Sequence, residues 1–351
     1  MIIKSSTKDY EVNIVRDFSF VEQLLQRENA MFVIDKTVYN LYHDRLFANI
    51  PENRLMLLEA LEPNKTIDTA LKICEVMTEI PAKRNAWLVS FGGGITQDVT
   101  GFAANILYRG VHWAFVPTTL LAACDSCIGG KTSLNYKQYK NLLGTFFAPD
   151  EIYICPEFFK TLTEKDFESG LGEVVKFNVM FGEEGITHIE NCIDRLLERD
   201  PQELNTCVEK SLQFKKRFIE EDEFDRGVRI HLNFAHTFGH AFEVASNYEF
   251  PHGTAVAMGT IAANRVSVRR GWLAPELAAR MERVLQKIIH VDKRLTEADM
   301  GTIMAAIRKD KKQVGTDLTA VLFDREMNLQ IVHDMKPEEV EDAVLYLFEK
   351  I

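Results

Sequence analysis

The sequence lacks the features that would place it outside the ordinary globular class. Its longest apolar run, around Val111 to Cys124, is broken by Pro117-Thr118-Thr119 and is too short to cross a bilayer. The opening residues MIIKSSTKDYE hold no apolar stretch of signal-peptide length. The expectation is a cytoplasmic protein with no membrane segment. Positive charge is also short: 41 Lys and Arg stand against 52 Asp and Glu, a formal charge of −11. That balance does not suit binding to nucleic acid or an anionic membrane. Local clusters of Lys and Arg therefore stand out as places to hold an anionic substrate. Cysteine is sparse: the six residues Cys74, Cys124, Cys127, Cys155, Cys192 and Cys207 are scattered along 351 positions and frame no disulfide scaffold. Cys124-x-x-Cys127 has neither a second CxxC nor a nearby histidine to complete a metal site, so the cysteines are expected to be reduced.

What is present suits about two domains, at ~150 residues each. In the first half, MFVID (31–35), AWLVSF (86–91) and HWAFVP (112–117) are compact apolar runs that read as buried strands. Around them lie helical patterns: SFVEQLL, opening with a Ser19-x-x-Glu22 capping box, and the spacing Ile67, Ala70, Leu71, Cys74. Buried strands separated by helices predict a mainly parallel, Rossmann-like sheet. After about residue 160 the texture becomes helical, in segments such as TLTEKDFESGLGEVVKFNVM, ELNTCVEKSLQFKKRFIEED and TAVAMGTIAANRVSV. LTAVLF (318–323) is the main strand-like exception, suited to a small hairpin with LQIV (329–332). The predicted organisation is an α/β domain over residues 1–160 and a mostly α-helical domain over 161–351.

Four stretches carry chemistry. FGGGITQDVTGF ends a strand in Gly92, Gly93 and Gly94 before a helix, a turn where backbone N–H groups and the helix dipole can receive a diphosphate. It is not GxGxxG, and strand-end glycines also serve turns that need positive φ. Asp35, closing an earlier strand, can accept from a ribose or cap a helix. DSCIGGKTSLNYKQYKN gathers Lys131, Lys140 and Asn141, donors suited to phosphate or carboxylate, or simply solvated lysines of a surface loop. Glu173 and Lys176 share one helical face, which also describes an exposed ion pair. In NFAHTFGHAFE, His236 and His240 are four apart, with Glu243 one turn on to hold a ring N–H. His252 follows from a turn beyond that helix. With Glu173 available, the set favours a metal over a polar core seam, and it is not HExxH.

Taken in order, GGGxxxD, PTT, DSxxGGKTxxN, KN, GxxEVxK, NFxHTFGHAxE and HG resemble the 3-dehydroquinate synthases of the sugar phosphate cyclase family, from about Asp35 to Asp310-Lys311-Lys312. The resemblance implies a phosphate-eliminating cyclase acting on 3-deoxy-D-arabino-heptulosonate 7-phosphate. In that chemistry NAD takes a hydride from a carbinol, phosphate leaves by β-elimination, the hydride returns, and an aldol step closes the ring. It implies Glu173, His236 and His252 as ligands of a divalent metal, usually zinc, with cobalt the other ion considered. It implies NAD contacts from Asp35, Glu62, Lys65, the glycines 92 to 94, Asp98, Thr118, Thr119, Lys131 and Lys140. Asp125, Lys131, Lys176 and His240 are implied near the reacting groups. Lys140, Asn141, Asn233, His240, Lys311 and Lys312 are implied phosphate and substrate contacts, and Lys215 and Arg229 carboxylate contacts. Arg109 matches an arginine that reaches a partner subunit's site, so a homodimer is expected.

Four positions depart from the family pattern: Gln97 and Ala235 where glycines are usual, Phe224 for an arginine and Thr254 for a glutamate. They leave a related cyclase acting on another sugar phosphate (2-deoxy-scyllo-inosose or sedoheptulose 7-phosphate type) as the first rival, although Lys215 and Arg229 argue for a carboxylate substrate. A metal-dependent polyol dehydrogenase of the broader fold is the second, and would have no use for cations aimed at phosphate and carboxylate.

Overall fold

The computed structural model describes residues 1–81, 83, 85–291, 300–309 and 318–351. They form two compact units, Met1–Leu162 and Thr163–Ile351. In the first, a seven-stranded sheet uses β1 (Ile2–Ile3), β2 (Tyr10–Ile14), β3 (Ala30–Asp35), β4 (Leu55–Leu58), β5 (Trp87–Gly92), β6 (His112–Pro117) and β9 (Glu151–Ile154), in the order β1-β2-β9-β6-β5-β3-β4. Every pairing is parallel except β1 with β2. The central strands are buried along nearly their whole length, which is why they read as continuous apolar runs rather than as an alternation. The helices of this unit are α1 (Ser19–Leu25), α2 (Lys36–Tyr42), α3 (Ile67–Thr78) and α4 (Gly94–Ile106).

Two local expectations are corrected here. Ser19 is the first helical residue of α1 and not its cap: the N-cap is Phe18, and the Ser19 amide donates instead to Asp17 Oδ1 at 2.9 Å. The stretch around Lys131 to Asn141, read as a possible surface loop, is an antiparallel hairpin of β7 (Lys131–Tyr136) and β8 (Tyr139–Phe146). Its polar and aromatic residues hide the period-two pattern, and Asn141 takes a left-handed φ of 52° that asparagine tolerates.

The second unit contains α5 (Glu164–Met180), α6 (Glu183–Leu197), α7 (Pro201–Glu221), α8 (His236–Ala245), α9 (His252–Arg269), α10 (Pro275–Gln286), α11 (Met300–Lys309) and α12 (Pro337–Lys350). A two-stranded ribbon of β10 (Leu318–Phe323) and β11 (Leu329–Met335) pairs antiparallel. His252 is not in a turn: it is the first residue of α9. Pro251 at the N-cap, with φ −60° and ψ 150°, starts the helix there, where a missing N–H has no cost.

Helices α5 and α9 meet backbone to backbone. A Cβ on Gly172 would lie 2.0 Å from the Gly253 carbonyl oxygen, and one on Gly253 would lie 1.7 Å from that of Ser169. Only glycine permits this approach, and each glycine adjoins a residue of the predicted ligand set, Glu173 and His252. Gly172→Ala is therefore expected to destabilise the protein by about 1–3 kcal/mol, the usual cost of overpacking a close contact. Urea unfolding measures it, and an unchanged midpoint would show that the helices can separate freely.

Candidate active site

In the first unit Asp35, the glycines 92 to 94 and Thr118-Thr119 lie at the carboxyl ends of β3, β5 and β6, three neighbouring parallel strands, while Glu62 and Lys65 follow β4, which also pairs with β3. Parallel sheets bind ligands at such ends. Gly92 ends β5, Gly93 is the N-cap of α4 and Gly94 its first residue. A side chain on Gly92 would strike Thr96 Oγ1 at 2.3 Å, so this turn also needs a bare backbone for packing. The Thr118 amide donates to Gly92 O at 2.9 Å, and Thr119 Oγ1 accepts from the Ala122 amide at 3.2 Å. Asp35 acts as the N-cap of α2, accepting from Thr37 N at 2.7 Å and Val38 N at 3.4 Å.

The hairpin joins these loops through one polar network. Lys65 Nζ lies 2.5 Å from Asp98 Oδ2 and donates to Asn141 Oδ1 at 2.7 Å. Asp98 also accepts from Ser133 N at 3.1 Å and Ser133 Oγ at 2.9 Å. Asn135 donates to Glu62 Oε1 at 2.8 Å and accepts from the Asn141 amide at 2.9 Å. Burial pushes the Asp98 carboxyl above its usual range, against the pull of Lys65 and Ser133. Glu62, Lys65, Asp98 and Asn141 thus come together. Ser133 and Asn135, which complete the network, were not foreseen as site residues. They lie two apart on one face of β7, a signal lost when the hairpin is taken for a loop.

Asp125 lies in a single π-helical turn, Ala122–Ser126, half-buried. Lys131 and Lys140 are exposed on β7 and β8. Arg109 is exposed and follows Tyr108 in a left-handed stretch, with φ 65° and 52°. Gln97 does not point into the glycine turn: its amide exchanges two hydrogen bonds of 2.7 Å with Ser126.

In the second unit Glu173, His236 and His252 converge from α5, α8 and α9. Glu173 Oε1 lies 3.4 Å from His236 Nε2 and 3.2 Å from His252 Nε2, with Glu173 fully buried. The other ring nitrogens are engaged: His236 Nδ1 with Phe234 O at 3.0 Å, His252 Nδ1 with Glu243 Oε2 at 3.5 Å. A ring that donates from Nδ1 turns its Nε2 lone pair towards a carboxylate oxygen, an arrangement that calls for a cation. The spacing agrees, because bonds of ~2.0–2.1 Å give tetrahedral edges of roughly 3.4 Å. His240, Glu243 and His252 form an overlapping donor set. The His240 ring centroid lies 5.4 Å from that of His236 and 6.0 Å from that of His252.

Lys176 is buried with Glu173, not exposed as the simpler reading had it. Its Nζ lies 2.6 Å from Glu173 Oε2 and donates to Leu232 O at 3.2 Å. Leu232 belongs to a 3₁₀ turn, Val228–Asn233, that also holds Arg229 and leads into His236. Arg229 and Lys215 (on α7) are both buried, and Arg229 Nη1 donates to Glu223 O at 2.6 Å. Asn233 Nδ2 donates to Ile230 O at 3.0 Å. Phe224 is exposed, and Thr254 is buried in the first turn of α9. Lys311 and Lys312 lie outside the described residues.

Ala235, just before His236, takes φ 69° and ψ −20°, the left-handed region that suits glycine. Ala235→Gly is expected to stabilise the chain by roughly 0.5–1 kcal/mol, the strain relieved less the added unfolded-chain entropy of glycine. A lowered denaturation midpoint would contradict it.

Burial works against charge on Glu173, but Lys176 and His252 hold its pKa down to about 2. Burial likewise opposes charge on His252, while Glu173 and Glu243 raise its pKa above the ordinary histidine value. The raised histidine contributes stability in full below about pH 6.5 and loses it as the pH rises; the lowered glutamate contributes above about pH 4.3 and loses it as the pH falls towards 2. Metal-stripped protein is therefore expected to melt at lower temperature at pH 9 than at pH 6, and a divalent ion to remove that difference. A melting temperature flat from pH 6 to 9 without metal would remove the basis for this charge balance.

The chain matches the family described as 3-dehydroquinate synthase N-terminal over residues 55–169, and that described as 3-dehydroquinate synthase C-terminal over residues 170–313. It is 36% identical over 329 residues to the 3-dehydroquinate synthase of Clostridium tetani, covering 93% of this chain and 88% of that one. Its fold is similar to that of a 2-epi-5-epi-valiolone synthase from Streptomyces hygroscopicus subsp. jinggangensis, solved with NAD⁺ and Zn²⁺ bound. The TM-score is 0.84 at 24% identity, with 99% of each chain covered. It is also similar in fold to a 2-deoxy-scyllo-inosose synthase in complex with carbaglucose-6-phosphate, NAD⁺ and Co²⁺. There the TM-score is 0.85 at 21% identity, with 98% of each chain covered.

Proposed function

The chain belongs to the 3-dehydroquinate synthase family, and from that membership we propose that it cyclises 3-deoxy-D-arabino-heptulosonate 7-phosphate to 3-dehydroquinate with loss of phosphate. The observation that carries this reading is the convergence of Glu173, His236 and His252, with Lys176 buried against the same carboxylate.

Glu173 Oε1 and the two Nε2 atoms would hold a divalent ion, zinc in the first place and cobalt in the second. When bound, that ion supplies Lewis acidity towards a substrate hydroxyl or carbonyl oxygen. NAD, proposed for the glycine turn with Asp35, Glu62, Lys65, Asp98, Thr118, Thr119, Lys131 and Lys140, supplies a hydride acceptor restored within each turnover. Phe234 O and Glu243 fix the tautomers that keep both Nε2 atoms free for the ion. Lys176 Nζ, fixed by Glu173 and Leu232 O, orients a hydroxyl or passes a proton from that atom. By the family resemblance, His240 would act on the reacting hydroxyls from the second unit, and Asp125 and Lys131 are proposed for the same role from the first.

Arg229 and Lys215 would bind the substrate carboxylate, Arg229 offering a planar fork that suits it. Lys140, Asn141, Asn233 and His240 would take the phosphate, as would Lys311 and Lys312. Arg109, exposed and set by its left-handed backbone, would reach the partner's site in a homodimer. The proposed location is the cytoplasm. The departures at Phe224, Ala235 and Thr254 support a second reading, a sister cyclase for another sugar phosphate, and the test separates the two.

Purified protein given the heptulosonate phosphate, NAD⁺ and Zn²⁺ should release phosphate and form 3-dehydroquinate without net NADH. Turnover only of glucose 6-phosphate or sedoheptulose 7-phosphate would transfer the chain to the second reading. NADH accumulating from a simple polyol would make it a dehydrogenase. His252→Ala should lose metal and turnover by more than the roughly 100-fold typical of an outer partner of a metal ligand.

A further inference from the structure

Outside the site described above, His188, Cys192 and Cys207 form a separate cluster within the second unit. His188 and Cys192 are four apart on α6 and so share a face, while Cys207 approaches from α7. Their donor atoms all lie within 4.8 Å of one another. Cys192 Sγ is 3.7 Å from Cys207 Sγ, and Cys207 Sγ is 3.6 Å from His188 Nε2. Both thiols are buried, at 1% and 0% exposure, and His188 is half-exposed at the edge of the cluster.

These separations have a definite chemical meaning. A disulfide needs sulfurs ~2.05 Å apart, so the pair is not bonded. Bonds of ~2.3 Å to sulfur and ~2.0–2.1 Å to nitrogen set tetrahedral edges of roughly 3.8 Å between two sulfurs and roughly 3.6 Å between sulfur and nitrogen. The two observed separations match both values. We propose that His188, Cys192 and Cys207 form a second divalent-metal site, selective for a thiophilic ion such as zinc, with its fourth position open beside His188.

Binding would release the thiol protons to solvent and leave two thiolates on the ion. The Glu173 site offers only nitrogen and oxygen donors, so sulfur coordination distinguishes the two sites. The proposal is independent of the catalytic reading.

Co²⁺ added to the reduced, metal-stripped full chain is the test, because thiolate-to-cobalt charge transfer absorbs in the near ultraviolet and imidazole–carboxylate coordination does not. The band should saturate with one bound ion, persist in Glu173→Gln, vanish in Cys192→Ser and Cys207→Ser, and bleach when Zn²⁺ displaces cobalt. His188→Ala, at a half-exposed position that spares the packed thiols, should weaken binding at least about 10-fold. No band in the wild type at saturating Co²⁺ would overturn the site. So would a band that survives either serine variant, or one that His188→Ala leaves at full affinity. Should the serine variants unfold by circular dichroism, the wild-type and His188→Ala titrations still decide.

Discussion

A single buried charge organises the second unit. The Glu173 carboxylate has no exposed surface, and an ion taken out of water costs several kcal/mol unless opposite charge and hydrogen bonds surround it. Lys176 supplies one compensation from the next turn of the same helix. His236 and His252 supply the other from two further helices. His252 could not approach if α5 and α9 kept an ordinary side-chain spacing. The contact through Gly172 and Gly253 is thus the steric condition for the electrostatic one. The same closeness gives three donors from separate helices a common focus.

The first unit meets a different constraint. Its turn after β5 brings α4 close on the sheet, and only a bare backbone at Gly92 leaves room for Thr96. Around it, Lys65 and Asp98 pair at low exposure and enlist Ser133, Asn135 and Asn141 from the hairpin. A partly buried polar network is tolerable only when its members are satisfied, and here each supports another. The hairpin is thereby positioned by side chains more than by its own sparse apolar content.

The four departures from the family pattern differ in consequence. Gln97 is absorbed by Ser126 and leaves the glycine turn clear. Ala235 keeps the backbone shape of a glycine at a cost in strain, directly beside a proposed ligand. Phe224 removes a cation from the surface, with Arg226 now 5.7 Å over its ring. Thr254 buries a hydroxyl two residues after His252, where a glutamate would have brought a further negative charge. Ala235 and Thr254 thus change the surroundings of the proposed ligands His236 and His252 while leaving their donor atoms in place.

The sequence alone determined the three central strands β3, β5 and β6, because a strand covered on both faces must be apolar throughout; the shorter β1, β2, β4 and β9 carry no apolar run as long. It also determined the donor types, because His236, His240 and Glu243 on one helix and Glu173 beside Lys176 on another are visible as spacing. It misjudged what depends on surroundings. Spacing is blind to burial, so Glu173–Lys176 passed for a possible surface pair. Composition is blind to pairing, so the hairpin passed for a possible loop, Ser133 was passed over, and Asn135, although it ends the DSxxGGKTxxN motif, was given no role. Only the tertiary structure decided that α5, α8 and α9 bring one carboxylate and two imidazoles together, and that Cys192 and Cys207 meet at His188. Such convergence joins residues from 15 to 79 positions apart, and it arises from helices packing on one another, which no local pattern encodes.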